Sequence, residues 1–149
     1  MNEIVIVHCV EETKKLGIKL GEACFKNCVI TLSGDLGAGK TTLTQGLAQG
    51  LGITKTVNSP TFTILKIYQG RLPLYHFDGY RLEGSNEDLG FEEMIDSDGV
   101  AIIEWPQYMK REIPEDVLEI KITRLEDESR QFEIKNTGPR HAVFLEVLR

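Results

Sequence analysis

The stretch Cys28-Val-Ile-Thr-Leu-Ser-Gly-Asp-Leu-Gly-Ala-Gly-Lys-Thr-Thr42 runs from an unbroken apolar segment straight into a glycine-rich turn that ends on lysine and threonine. Residues Cys28 to Leu32 suit a strand buried on both faces. A helix is expected from Lys40 to Leu51, with Gly50 and Gly52 ending it. Between the two, Gly34, Gly37 and Gly39 let successive backbone N–H groups turn inward around a β-phosphate. The helix adds its positive end, Lys40 a point charge for the β- and γ-phosphates, and the Thr41 hydroxyl a ligand for magnesium. Strand, loop and helix in this order make a phosphate-binding loop, with ATP (ADP as product) and Mg2+ as the expected ligands. Asp35, Leu36, Gly37, Ala38, Gly39, Lys40, Thr41 and Thr42 are its candidate nucleotide contacts.

Outward from this centre, Ile4 to Val7 reads as a strand and Glu11 to Phe25 as a helix, with Leu16, Leu20, Ala23 and Cys24 at helical spacing and Thr13 near its start. Downstream, Asn58-Ser-Pro-Thr-Phe62 is a loop that Pro60 keeps from being helical. Thr63 to Tyr68 and Leu72 to Phe77 form a hairpin around Gln69-Gly-Arg71. Ser85 to Met94 is a helix candidate, Val100 to Ile103 a buried strand, and Tyr108 to Glu112 a short helix. Val117 to Thr123, Arg130 to Lys135 and Ala142 to Leu148 read as antiparallel strands. The class is therefore α/β, with a mixed central sheet and antiparallel additions. Nothing divides the chain, so residues 1–149 are expected to make one domain.

A phosphate loop usually needs a carboxylate at the end of a neighbouring strand, close to the metal or its waters. Glu104 ends the run Val100 to Ile103, and Asp78 ends the run Leu72 to Phe77, so both qualify. His76 shares a strand face with Asp78; a lone strand histidine reads as core or surface before it reads as functional. Trp105, the sole tryptophan, walls the nucleotide or a partner surface, or packs in the core. Ser59, Thr61 and Thr63 lie where many nucleotide hydrolases sense the γ-phosphate. Arg81 defaults to a surface ion pair.

A net charge of −6 argues against a chain that grips nucleic acid alone. Hydrophobic residues at 41% and charged residues at 27% suit an ordinary globule. Met1 to Val10 carries no basic n-region or long apolar run, no eighteen consecutive apolar residues occur, and Cys9, Cys24 and Cys28 match no zinc spacing. They read as small buried thiols of a cytoplasmic protein.

The loop Gly34 to Thr42, Asn58-Ser-Pro-Thr-Phe62, Tyr75-His-Phe-Asp-Gly-Tyr-Arg-Leu82 and Ile103-Glu-Trp-Pro106, in this order, closely resemble the TsaE family, bacterial ATPases of tRNA threonylcarbamoyladenosine biosynthesis. The resemblance implies a three-layer P-loop NTPase fold. It also implies ATP hydrolysis in a complex with proteins resembling TsaD and TsaB, which reaches tRNA through those partners and involves neither membrane nor DNA. On that likeness the modified base is adenosine 37 of tRNAs that read codons starting with A. Lys40, Asp78 and Glu104 become the catalytic residues: Thr41 and Glu104 hold magnesium, Lys40 contacts the phosphates and Asp78 supports hydrolysis. Val10, Thr13 and Arg130 become candidate adenine contacts. Gly79 departs from the larger residue the family commonly carries there.

A GTPase is disfavoured, because no Asn-Lys-x-Asp string occurs. A small-metabolite kinase shares the loop but needs a lid rich in arginine, and only Arg124 and Arg130 cluster. A binding module whose loop is ordered by nucleotide, with incidental hydrolysis, is the non-enzyme alternative.

Overall fold

The structure, a computed structural model, describes residues 2–34, 39–57, 64–84 and 89–148. The candidate contacts Asp35 to Ala38, the loop Asn58 to Thr63 with its Ser59, Thr61 and Thr63, and the helix start Ser85 to Asp88 lie outside the described residues.

The described residues form one seven-stranded sheet in the order β1-β7-β6-β2-β5-β4-β3. Its centre is parallel: β2 (Cys28–Gly34) lies between β5 (Val100–Glu104) and β6 (Leu118–Arg124), and β4 (Leu74–Asp78) runs beside β5. Every residue of β5 and the first five of β2 are buried, as expected for strands covered on both faces. The antiparallel additions are β3 (Leu65–Tyr68) on one edge, hairpinned to β4 as anticipated, and β7 (Arg130–Asn136) with β1 (Asn2–Val7) on the other.

One face carries α1 (Val10–Ala23), α2 (Lys40–Gly50) and α4 (Val143–Val147) over a core that includes Leu20, Leu43, Leu47, Ile30, Ile102, Leu118 and Phe144. The other carries the short α3 (Phe91–Ile95) and two 3-10 turns, Gly79–Leu82 and Pro106–Tyr108, over Val29, Phe77, Ala101, Ile103 and Met109. No helix among the described residues is long and apolar enough to cross a membrane.

Helix α1 buries Thr13, Leu16, Gly17, Leu20 and Gly21, a stripe at spacings of three and four, and lays it against α2. Glycines line the contact from both sides. A Cβ at Gly17 would stand 2.5 Å from Leu43 O and one at Gly46 2.5 Å from Lys14 O, with Gly21 and Gly50 equally close to facing backbone. The two backbones therefore touch directly, and α1 holds down the helix that begins at Lys40.

Several expectations need correcting. Ala142 to Leu148 is not a strand. Its valines suggested one, but Phe144, Leu145 and Leu148 fall on one helical face and pack into the α1/α2 core as α4. The turn before it is fixed by the fully buried His141, whose Nε2 accepts the Val29 N–H at 3.0 Å and whose Nδ1 donates to Asp116 Oδ1 at 2.7 Å. The expected helix from Tyr108 to Glu112 is instead the 3-10 turn at Pro106–Tyr108, started by the fixed φ of Pro106. The helix expected from Ser85 is in its described part only Phe91–Ile95, because Gly90 at φ 75° precedes it. Strand β6 pairs antiparallel with β7 but parallel with β2. Cys24 and Cys28 are buried, whereas Cys9 is exposed.

Replacing Gly46 by alanine gains about 0.5–1 kcal/mol of helix propensity. Driving a methyl into the Lys14 carbonyl costs about 1–3 kcal/mol, more where the backbone cannot give. Overpacking wins, so Gly46→Ala is expected to lower Tm by about 2–8 °C. A Tm equal to or above the parent's in thermal unfolding would contradict direct helix contact.

Candidate functional site

Because β2, β4 and β5 are parallel, their C-terminal ends open on one edge, the place where such sheets bind ligands. Register pairs Leu32 with Glu104 and Glu104 with Asp78, so the two candidate acids stand side by side where β2 feeds the glycine loop. The chain can bring their backbones this close because residue 79 is glycine: a Cβ there would collide with the carbonyls of Glu104 and Trp105. The departure from the resembled family's usual residue thus fits this crossing.

Helix α2 starts on Gly39, at φ 110°, and among the described residues no side chain caps its first N–H groups. Its positive end is left for another acceptor. Lys40 is 6% exposed; its Nζ donates to Gly34 O at 3.0 Å and stands 4.4 Å from the centroid of the Trp105 ring. Among the described residues no carboxylate pairs with it, so a buried ammonium is held by one carbonyl and one indole face. Trp105 reaches this position from a left-handed backbone (φ 55°, ψ 57°) directly after Glu104, and its ring abuts Tyr80 and Tyr108. Thr41 and Thr42 occupy the first turn of α2, both half-buried.

Glu104 is 5% exposed, and its Oε2 lies 2.6 Å from Nε2 of the fully buried His76. Asp78 accepts the Tyr80 N–H through Oδ1 at 3.2 Å and faces Arg81 Nε at 3.7 Å. Burial, reinforced by the Glu104 charge, pushes the Asp78 carboxyl above its ordinary range; the Tyr80 N–H, Arg81 and His76 offset only part of this. Two adjacent carboxylates and a threonine hydroxyl form a hard-oxygen donor set beside the anion seat at the start of α2.

Of the adenine candidates, Val10 and Arg130 lie at this same edge. Gly34 pairs with Ile122, Arg124 with Arg130, and Arg130 with Val7, three residues before Val10. Val10 is 59% exposed. Thr13 differs: it is buried in α1, its hydroxyl donating to Cys9 O. Arg124 pairs with Glu128, and Arg130 donates to the Glu128 and Ser129 carbonyls, so both are engaged in the β6–β7 turn. A cavity of about 480 Å³ lined by Asn27, Glu92, Asp96, Glu112 and Arg140 opens at the opposite end of the sheet and holds none of the candidate residues. The His76–Glu104 bond and the tyrosines around Trp105 have no signature in the local sequence. Tyr80 falls within the run Tyr75 to Leu82 that carries the family resemblance, but only sheet register reveals what His76 touches.

A mixed sheet with helices on both faces and a glycine loop joining its central strand to a helix defines the three-layer P-loop NTPase fold. The family model described as "Threonylcarbamoyl adenosine biosynthesis protein TsaE" matches residues 7–132, and the chain belongs to that family. It is 49% identical over 140 residues to the tRNA threonylcarbamoyladenosine biosynthesis protein TsaE of Bacillus subtilis, covering 93% of this chain and 88% of that one. It is 40% identical over 126 residues to the Treponema pallidum protein of the same name, covering 83% and 93%. The crystal structure of Bacillus subtilis YdiB superposes with a TM-score of 0.86 at 37% identity, over 99% of this chain and 94% of that one.

The raised Asp78 carboxyl has a consequence for stability. A folded-state value above the unfolded one means that the fold favours the protonated acid; that contribution is present below the ordinary aspartate range and is lost as pH rises through the folded value. At neutral pH the ionised group therefore works against folding. In metal- and nucleotide-free protein, Asp78→Asn, which keeps an acceptor for Tyr80 N, is expected to raise Tm at pH 7, with the gain shrinking toward pH 4. Thermal unfolding across that range checks it; a loss, or a difference independent of pH, is the contrary result.

Proposed function

We propose that this chain binds ATP with Mg2+ at the strand ends and hydrolyses it in support of threonylcarbamoyladenosine formation at adenosine 37 of tRNAs that read codons starting with A. On this reading it works in the cytoplasm, within a complex of proteins resembling TsaD and TsaB. The observation that carries the nucleotide part is the convergence on one edge of the adjacent acids Asp78 and Glu104 with a buried Lys40 and an α2 N-terminus that, among the described residues, meet no carboxylate and no side-chain cap. The tRNA part rests on family membership and on the names of the relatives.

The donor set fits the ligands. Lys40 and the first amides of α2 would hold the phosphates, Thr41 and Glu104 the metal, and Asp78 would orient the attacking water. Magnesium, when bound, supplies neutralisation of the phosphate charge. The ammonium spends one of its three N–H donors on the Gly34 carbonyl, which leaves two for phosphate oxygens. Engagement of Arg124 and Arg130 within their own turn counts against a kinase lid.

ATP turnover measured with and without the two partners tests the reading. Hydrolysis is expected to rise about tenfold or more in the complex. Lys40→Ala is expected to weaken nucleotide binding by about 2–5 kcal/mol, roughly 30-fold or more. Asp78→Ala is expected to bind normally and turn over slowly. Tight binding without hydrolysis in either condition would instead favour a passive module, and phosphoryl transfer to a small metabolite would favour a kinase.

A further inference from the structure

His76 holds the end of β4 in contact with the Glu104 carboxylate, and its surroundings give packing alone little reason for an imidazole. It is wholly buried between Tyr75 and Phe77 in a strand that also buries Leu74. Among the described residues its Nδ1 has no hydrogen-bond partner. An orphaned buried nitrogen costs about 1–3 kcal/mol, which an aliphatic side chain of similar volume would avoid. What the imidazole provides is a single short bond, Nε2 to Glu104 Oε2 at 2.6 Å. An ionised carboxylate can only accept, so Nε2 carries the hydrogen.

Glu104 needs such a restraint. Glutamate has one more methylene than aspartate, so its carboxylate swings on an extra torsion at the end of β5, beside the like-charged Asp78. The bond to His76 spends Oε2. Among the described residues Oε1 has no hydrogen bond, which leaves that oxygen for a cation.

We propose that His76 is a positioning residue for the divalent cation. By donating to Oε2 it fixes the Glu104 rotamer and aims Oε1 at the metal, as outer partners orient metal ligands elsewhere. This rests on the reading that Glu104 holds the metal, and the test separates the two. Mn2+ affinity of the full-length protein saturated with ADP is measured by electron paramagnetic resonance, and ADP affinity in EDTA is measured alongside.

His76→Leu is expected to weaken Mn2+ binding about 10- to 100-fold while leaving metal-free ADP binding unchanged. His76→Gln, whose Nε2 falls near that of the imidazole, is expected to restore Mn2+ binding to within a few-fold, and in a Glu104→Gln background His76→Leu should add nothing further. Should the leucine variant not fold, His76→Asn, with an amide too short to reach Oε2, takes its place. Parent-like Mn2+ affinity in a folded leucine or asparagine variant overturns the positioning role, as does a glutamine variant no better than leucine. Unchanged Mn2+ affinity in Glu104→Ala overturns the metal assignment to Glu104 and this role with it.

Discussion

Leu32, Glu104 and Asp78 stand abreast on three neighbouring parallel strands, and the site is assembled by that register. A slip of one residue in β4 or β5 would turn His76 and Glu104 to the face of Phe77 and Ile103 and leave their charges in an apolar cluster. Burial on both faces makes such a slip costly. Cys28, Ile30 and Ile102 fill the core beneath α1 and α2, while Val29, Ala101 and Ile103 fill the core beneath the 3-10 turns. The same constraint fixes where β2 ends, and with it where Lys40 begins α2.

On this frame the charges are arranged in opposition. Lys40 is withdrawn against Trp105 and the Gly34 carbonyl, while Asp78 and Glu104 sit close enough that burial and mutual repulsion raise the Asp78 carboxyl. A ligand that brings both an anion and a cation relieves both strains at once. The glycine contact between α1 and α2 matters here as support: α2 cannot shift against α1 without breaking a backbone-to-backbone contact.

The central strands and α2 could be read from residues alone, because Cys28 to Leu32 and Val100 to Ile103 are apolar without interruption and a lysine follows the glycines. Glu104 and Asp78 were legible as strand-end acids for the same reason. That they adjoin was not, since pairing between β4 and β5 joins residues 26 positions apart, and no local pattern encodes it. His76 was hidden by the same gap. Residues 142–148 misled because Val143 and Val147 carry β propensity that tertiary burial of Phe144 and Leu145 overrides. The cysteines misled less: a small apolar thiol is usually buried, and Cys9 is exposed only because it precedes α1 as its N-cap.

The measurement that bears most directly on the shared site is a crystal structure with a non-hydrolysable ATP analogue and Mg2+. The triphosphate is expected at the N-terminus of α2, with Lys40 Nζ donating to a phosphate oxygen and the metal between Thr41 and Glu104. A nucleotide seated elsewhere, such as the cavity beside Glu92 and Arg140, or a Lys40 Nζ that touches no phosphate oxygen beneath an ordered triphosphate, would contradict it.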